Sequence, residues 1–161
     1  MPTRRDILIV LRRFLALWAL IVWQGGFFFY ASVVVPAAQR EVGHFQQGLI
    51  TRHVTVWINY AGALSLALLA FDAFWSPDLR PGRRGLLWST WLAMALCQIA
   101  LFLLHPRLDA LLDPETWTME PGFRRLHRVY LWVHTVQWAL ALLFVVLWLA
   151  AWRANDRRET P

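Results

Sequence analysis

A chain of 161 residues that is 58% hydrophobic and 15% aromatic, with a mean hydropathy of +0.43, is too apolar for a water-soluble globule, in which about half of residues are apolar. All sixteen basic residues are arginine, against ten acidic ones, giving a net charge of +6. Charge that persists at any accessible pH points to nucleic acid or to an anionic membrane surface, and the placement of the arginines along the chain decides for the membrane.

The amino terminus carries Arg4, Arg5, Arg12 and Arg13 ahead of an apolar run from Phe14 to Val35. That run exceeds the roughly 7–15 residues of a cleavable signal core. At about 1.5 Å per residue it reaches across a hydrocarbon layer of roughly 30 Å, which predicts a first spanning helix over 14–35. Gln24-Gly25-Gly26 falls at mid-span, where small residues let a neighbouring helix approach and Gln24 needs a hydrogen-bond partner. Pro36 is expected to end or kink this helix. Residues 37–53 are polar and predict a connecting loop with some helical content. A second span is expected over 54–75, with Asn59, Tyr60 and Ser65 inside it and Asp72 near its far end. Residues 76–85 have turn composition, with two prolines, two glycines and three arginines. A third span is expected over 86–104, a long loop over 105–126, a fourth span over 129–152, and a short polar tail after it.

Four spans put both termini on one side of the bilayer. Arg4, Arg5, Arg12, Arg13, Arg80, Arg83, Arg84, Arg153, Arg157 and Arg158 then share that side, ten in all, against six opposite: Arg40, Arg52, Arg107, Arg124, Arg125 and Arg128. The excess of positive charge marks the cytoplasmic side. The expectation is a multi-pass protein of the inner (plasma) membrane with both termini cytoplasmic, forming a single domain over 1–161. Trp75, Trp88, Trp91, Trp148 and Trp152 fall near the inner boundary and Trp57, Trp117 and Trp132 near the outer one, the positions of interfacial anchors.

This orientation sends all five histidines to the outer side. His44 lies in the first outer loop, His53 opens the second span, His105 closes the third, and His127 and His134 lie seven apart on one face of the fourth. Imidazole ligates metals and haem iron, and bundles build such sites from facing helices. His127, His134, His53 and His105 are therefore candidate ligands for haem or a transition metal. Ends of spans collect polar residues anyway, so most of these histidines need no ligand. Only His134 is truly inside its span, and at similar depth the other helices offer Gln24, Asn59 and Gln98, with Gln137 one turn along from His134. These residues predict a polar layer in the outer half of the bundle, since polar side chains in lipid must bond one another. Arg52-His-Val-Thr-Val-Trp-Ile-Asn59 echoes Leu126-His-Arg-Val-Tyr-Leu-Trp-Val-His134, as two related hairpins would.

Gly25-Gly-Phe-Phe-Phe-Tyr-Ala-Ser-Val-Val-Val-Pro36, followed by Phe123-Arg-Arg-Leu-His127, resembles the bacterial membrane family of unknown function related to eukaryotic transmembrane protein 205. The resemblance implies a four-helix membrane protein with no established enzymatic mechanism and with a eukaryotic relative linked to metal-drug resistance. His127 is the polar residue that it carries over. At the position seven further on the family usually has asparagine, whereas this chain has His134, a departure that favours hydrogen bonding over metal ligation there.

No phosphate-binding glycine loop, His-Glu-x-x-His, Cys-x-x-Cys or Gly-x-Ser-x-Gly is present. Cys97 is a lone cysteine in an apolar run. The reading is an all-α, four-transmembrane-helix bundle of two helical hairpins. It is expected not to be an enzyme and to act as a membrane module through a membrane-protein partner or as a homo-oligomer, using the Gly25-Gly26 face, with the lipid bilayer rather than nucleic acid as its surroundings. The alternatives are a haem or transition-metal binding protein with its site at the extracytoplasmic end, and a small transporter or resistance protein.

Overall fold

The computed structural model describes residues 3–75, 80–113, 118–119 and 121–159. These are helical apart from short turns and one two-residue ladder. Helix α1 spans Arg4–Phe29, a π-helical turn covers Tyr30–Val34, α2 spans Val35–Trp75, α3 spans Pro81–Asp109 and α4 spans Phe123–Glu159. Between α3 and α4, β1 (Leu112–Asp113) pairs antiparallel with β2 (Thr118–Met119).

Each apolar stretch lies within a helix longer than itself. α1 starts well before Phe14 because Thr3 and Asp6 form a capping box. The Thr3 hydroxyl accepts from the Asp6 amide at 3.3 Å, and the Asp6 carboxylate accepts from the Thr3 amide at 2.8 Å. These bonds hold the Asp6 carboxyl below its ordinary value. Pro36, expected to end or kink the helix, does not end it; the irregularity is a π turn just before it. The Val35 amide reaches back to the Tyr30 carbonyl, and this wider π turn accommodates a proline that has no N–H and whose ring crowds the preceding turn. The break comes at Gly43, whose φ of 82° is a conformation that glycine adopts readily. The loop expected over 37–53 is thus helix on both sides of a single residue. Residues 35–42 prolong the first rod, and residues 44–75 form the second. The turn expected over 76–85 falls partly outside the described residues. Its later part opens α3, with Arg80 as N-cap and Pro81 in the first turn, where a missing N–H costs nothing.

The rods run antiparallel. α1 packs on α2, α2 on α3 and α3 on α4, and α1 also meets α4, where the Arg13 guanidinium sits 4.7 Å from the centre of the Trp152 ring. The apolar core comprises Ala16, Leu20 and Trp23 of α1, Leu66, Leu69 and Ala73 of α2, Leu87 and Met94 of α3, and Ala141, Phe144 and Trp148 of α4. Around this core the usual distribution of polarity is inverted. Asn59, Ser65, Asp72, Thr90, Gln98, His134 and Gln137 are buried, while Trp18, Ile21, Leu64, Phe71, Leu96, Ile99, Leu142 and Val146 are exposed. α3 and the Phe123–Ala154 part of α4 are each long and apolar enough to cross a membrane.

Three rods meet at the end that holds both termini. Asp72 has no exposed surface. Its Oδ1 accepts from Arg12 Nε at 2.6 Å, and its Oδ2 accepts from the indole N–H groups of Trp148 at 2.7 Å and Trp152 at 2.9 Å. Trp148 is therefore no interfacial anchor. It is buried, and Trp91 is likewise tied inward, donating to the Leu66 carbonyl at 3.0 Å. An indole N–H surrounded by apolar groups must find its acceptor inside the protein. Trp57, Trp75 and Trp132 are exposed as expected of anchors, and Trp117 lies outside the described residues.

Asp72→Asn removes the charge that Arg12 faces. Breaking a buried ion pair costs about 3–5 kcal/mol, and the 17% exposure that Arg12 retains puts this case at the lower end. Thermal unfolding of the detergent-solubilised protein, followed by circular dichroism, is expected to show a clear fall in Tm for Asp72→Asn and a smaller one for Trp152→Phe.

Candidate functional site

Two polar zones occupy the half of the bundle away from the termini. The deeper one is a hydrogen-bonded layer. The side-chain amide of Asn59 donates to the Tyr130 hydroxyl at 3.0 Å, and Gln98 Nε2 donates to the Asn59 carbonyl at 3.1 Å. Gln137 Nε2 donates to the Met94 carbonyl and to Gln98 Oε1, each at 3.1 Å. Asn59, Gln98 and Gln137 thus come together, joined by Tyr130, and they tie α2, α3 and α4. Gln24 stands apart. It is half-buried on α1, and its Oε1 has no hydrogen-bond partner.

Gly62 makes room for the layer. A Cβ placed there would lie 2.5 Å from Gln98 Oε1 and 2.8 Å from the Trp23 indole nitrogen. The residue at 62 is small because two polar side chains from neighbouring rods pass over it.

His134 lies beside this layer and is not hydrogen-bonded into it. Its ring is stacked on Phe27 with centroids 4.9 Å apart and planes 12° apart, and Tyr130 meets it edge-on at 4.8 Å. The residue is 4% exposed, and its Nε2 has no partner. Tyr130 therefore stands between Asn59 and His134.

The second zone is a cavity of about 520 Å³ bounded by the end of α1, the π turn, α2, the end of α3 and the start of α4. His44, His105, His127 and His134 all reach its wall, among apolar residues such as Phe27, Val35, Ile58, Leu108 and Leu131. His53 does not line it. It is exposed, because the inward face of α2 passes through Thr51, Thr55 and Asn59, and a residue two positions before Thr55 points away. The four ligand candidates are therefore not gathered at one point. Among the described residues, no three of His, Cys, Asp or Glu converge so as to hold a metal ion.

Most polar groups of the wall satisfy one another. The Tyr30 and Thr51 hydroxyls are 2.9 Å apart, Gln47 bonds the Thr51 hydroxyl, and Gln39 Nε2 donates to Gln47 Oε1 at 3.3 Å. His105 Nε2 lies 3.0 Å from the Arg52 carbonyl and 3.1 Å from the Thr55 hydroxyl. A carbonyl can only accept, so this nitrogen carries a proton. Arg52 pairs with Asp109 at 3.3 Å, which leaves the wall with balanced charge. His127 stacks on Phe123 with centroids 5.6 Å apart. His44 and the Gln39, Gln47 and Thr51 group were not distinguishable in the sequence from an ordinary polar loop. Their convergence depends on the chain reversing at Gly43.

Compared with protein-family models, with curated proteins and with solved structures, the chain matches none.

Gly62→Ala forces a methyl group against Gln98 and Trp23. Overpacking of this kind costs about 1–3 kcal/mol, so the variant is expected to unfold at a lower temperature than the parent protein in the same detergent. Gly48→Ala, where nothing lies within 4 Å, is expected not to.

Proposed function

We propose that this chain is a non-enzymatic integral membrane module of the inner membrane, crossing it four times with both termini cytoplasmic, and that it works by pairing with a second copy of itself through the outer face of α1. The inverted polarity of the bundle supports the membrane assignment. Exposed Trp18, Ile21, Leu64, Phe71, Leu96 and Val146 extend the apolar surface over α1 and α2 as well as α3 and α4, and extended exposed apolar surface marks contact with a membrane or a partner. Residues 54–71 of α2 contain no Asp, Glu, Lys or Arg, nor do residues 14–35. The excess of arginine at the end where Arg12, Asp72 and Trp152 meet supports the orientation.

The observation that carries the pairing is the placement of Gly25 and Gly26. Both are exposed, and a Cβ built on either meets nothing within 4 Å. Glycine inside a helix costs about 1 kcal/mol relative to alanine, and among the described residues nothing packs where either side chain would stand, in contrast to Gly62. Flanked by exposed Val22, Phe28 and Phe29, the pair forms a shallow notch against which another helix backbone can pack closely. A two-fold axis beside α1 would bring the same notch from each copy together. The Gly25–Pro36 and Phe123–His127 motifs support kinship with the membrane family related to transmembrane protein 205.

Single-molecule photobleaching of the labelled protein in lipid nanodiscs or liposomes tests this reading. The parent protein is expected to bleach in two steps and the Gly25→Leu/Gly26→Leu double variant in one, with Tm unchanged. Equal step counts for the two proteins would contradict self-association through this face.

A further inference from the structure

We propose that the outer cavity is a binding site for a neutral, lipid-soluble molecule bearing a hydroxyl group, whose apolar body fills the space between α1 and α4 and whose hydroxyl bonds His134. The inference concerns the interior of a single copy and does not depend on pairing through Gly25 and Gly26.

Size and wall set the class of occupant. A volume of about 520 Å³ falls among sites that take a small organic molecule. The walls are mainly apolar, and the one full cation among the described lining residues, Arg52, is already paired with Asp109. A charged ligand would arrive with no opposite charge waiting for it. Tyr30, Thr51, Gln47 and Gln39 bond one another, and His105 is held by Arg52 and Thr55. The deepest titratable side chain on the wall, His134, is the one whose nitrogen is left over.

An unpartnered buried nitrogen costs about 1–3 kcal/mol. Membrane proteins hold such groups where they line a pathway or a ligand site. A hydroxyl both donates and accepts, so it satisfies His134 Nε2 whichever ring nitrogen carries the proton. Phe27 lines the same cavity and lies flat on the imidazole. It covers the ring's face, while a hydrogen bond to Nε2 forms at the ring's edge.

The route of entry supports lipid solubility. Ala31 and Leu131 line the cavity and are also exposed, one beside α1 and the other on α4. Both therefore touch the cavity and the outside of the bundle, and the proposed entrance lies at these two residues. His44, the exposed polar residue of the wall, lies beyond the break at Gly43.

The test uses the full chain in lipid nanodiscs with a long-chain alkanol carrying a photoactivatable diazirine, beside the matching diazirine alkane without the hydroxyl. The expected result is alkanol labelling that maps to residues 27–35 and 123–134, falls at least five-fold in His134→Phe and persists in His134→Asn, which keeps a hydrogen-bonding side chain. Leu131→Trp, which narrows the mouth without touching the polar layer, is expected to reduce the same labelling. The alkane is expected to label those residues weakly and equally in all variants. Should His134→Phe fail to fold, the Leu131→Trp comparison decides alone. Equal labelling by alkanol and alkane, or labelling spread over the outer faces of the helices and unaltered by Leu131→Trp, would overturn the proposal.

Discussion

The bundle is organised around a carboxylate that cannot reach water. Asp72 has no exposed surface and lies near the end of α2, a position tolerable only if its charge is answered from within the protein. The answer comes from two other rods at once, Arg12 of α1 on one oxygen and Trp148 and Trp152 of α4 on the other. Trp148 and Trp152 are four residues apart and so lie on one face of α4, which lets both indoles converge on a single oxygen. An apolar exterior gives helices in lipid no directional reason to choose one register over another. Asp72 supplies that reason, setting the rotation of α4 and the height of α1 against α2. Higher up, the bonds among Asn59, Gln98, Gln137 and Tyr130 add a second fixed level between α2, α3 and α4.

With two levels fixed, the opposite end is left to open. Among the described residues, α1 meets the layer through Trp23 against Gly62 and through Phe27 against His134, and above that point it passes into the π turn. The cavity lies beside that turn. The chain thus carries two candidate points of action, the glycine notch outside α1 and the histidine-bearing cavity inside the bundle. They lie on opposite sides of one helix, within a few residues of each other.

Hydrophobic runs made the helices legible in the sequence, because long apolar stretches leave few alternatives to helix. Their ends were not legible. Pro36 reads as a stop or a kink by the ordinary rule, yet the π turn absorbs it and glycine makes the reversal seven residues later. Depth along a helix can be counted in the sequence, and so Asn59, Gln98 and Gln137 could be placed at one level. Rotation about the helix cannot be counted in the same way, which is why Gln24 and His53 were grouped with residues they do not meet. Asp72 was visible only as a polar residue near the end of a span, since its partners lie about sixty and eighty residues away. The tryptophans misled for a related reason. Trp148 and Trp152 have the composition of membrane-interface anchors, and only a folded bundle reveals an acceptor behind them.

The proposed membrane arrangement predicts four crossings, and the most direct measurement is topology mapping by cysteine accessibility in a Cys97→Ser background. A membrane-impermeant thiol reagent would be applied to intact spheroplasts and to inverted vesicles carrying Thr3→Cys, Arg80→Cys, Glu41→Cys or Arg124→Cys, with Leu64→Cys and Leu96→Cys as exposed apolar positions. Labelling of positions 3 and 80 from the cytoplasmic side, of 41 and 124 from the opposite side, and of 64 and 96 from neither is the predicted result. Labelling of position 41 from the same side as position 3, or of position 64 from water, would mean that α1 and α2 do not cross.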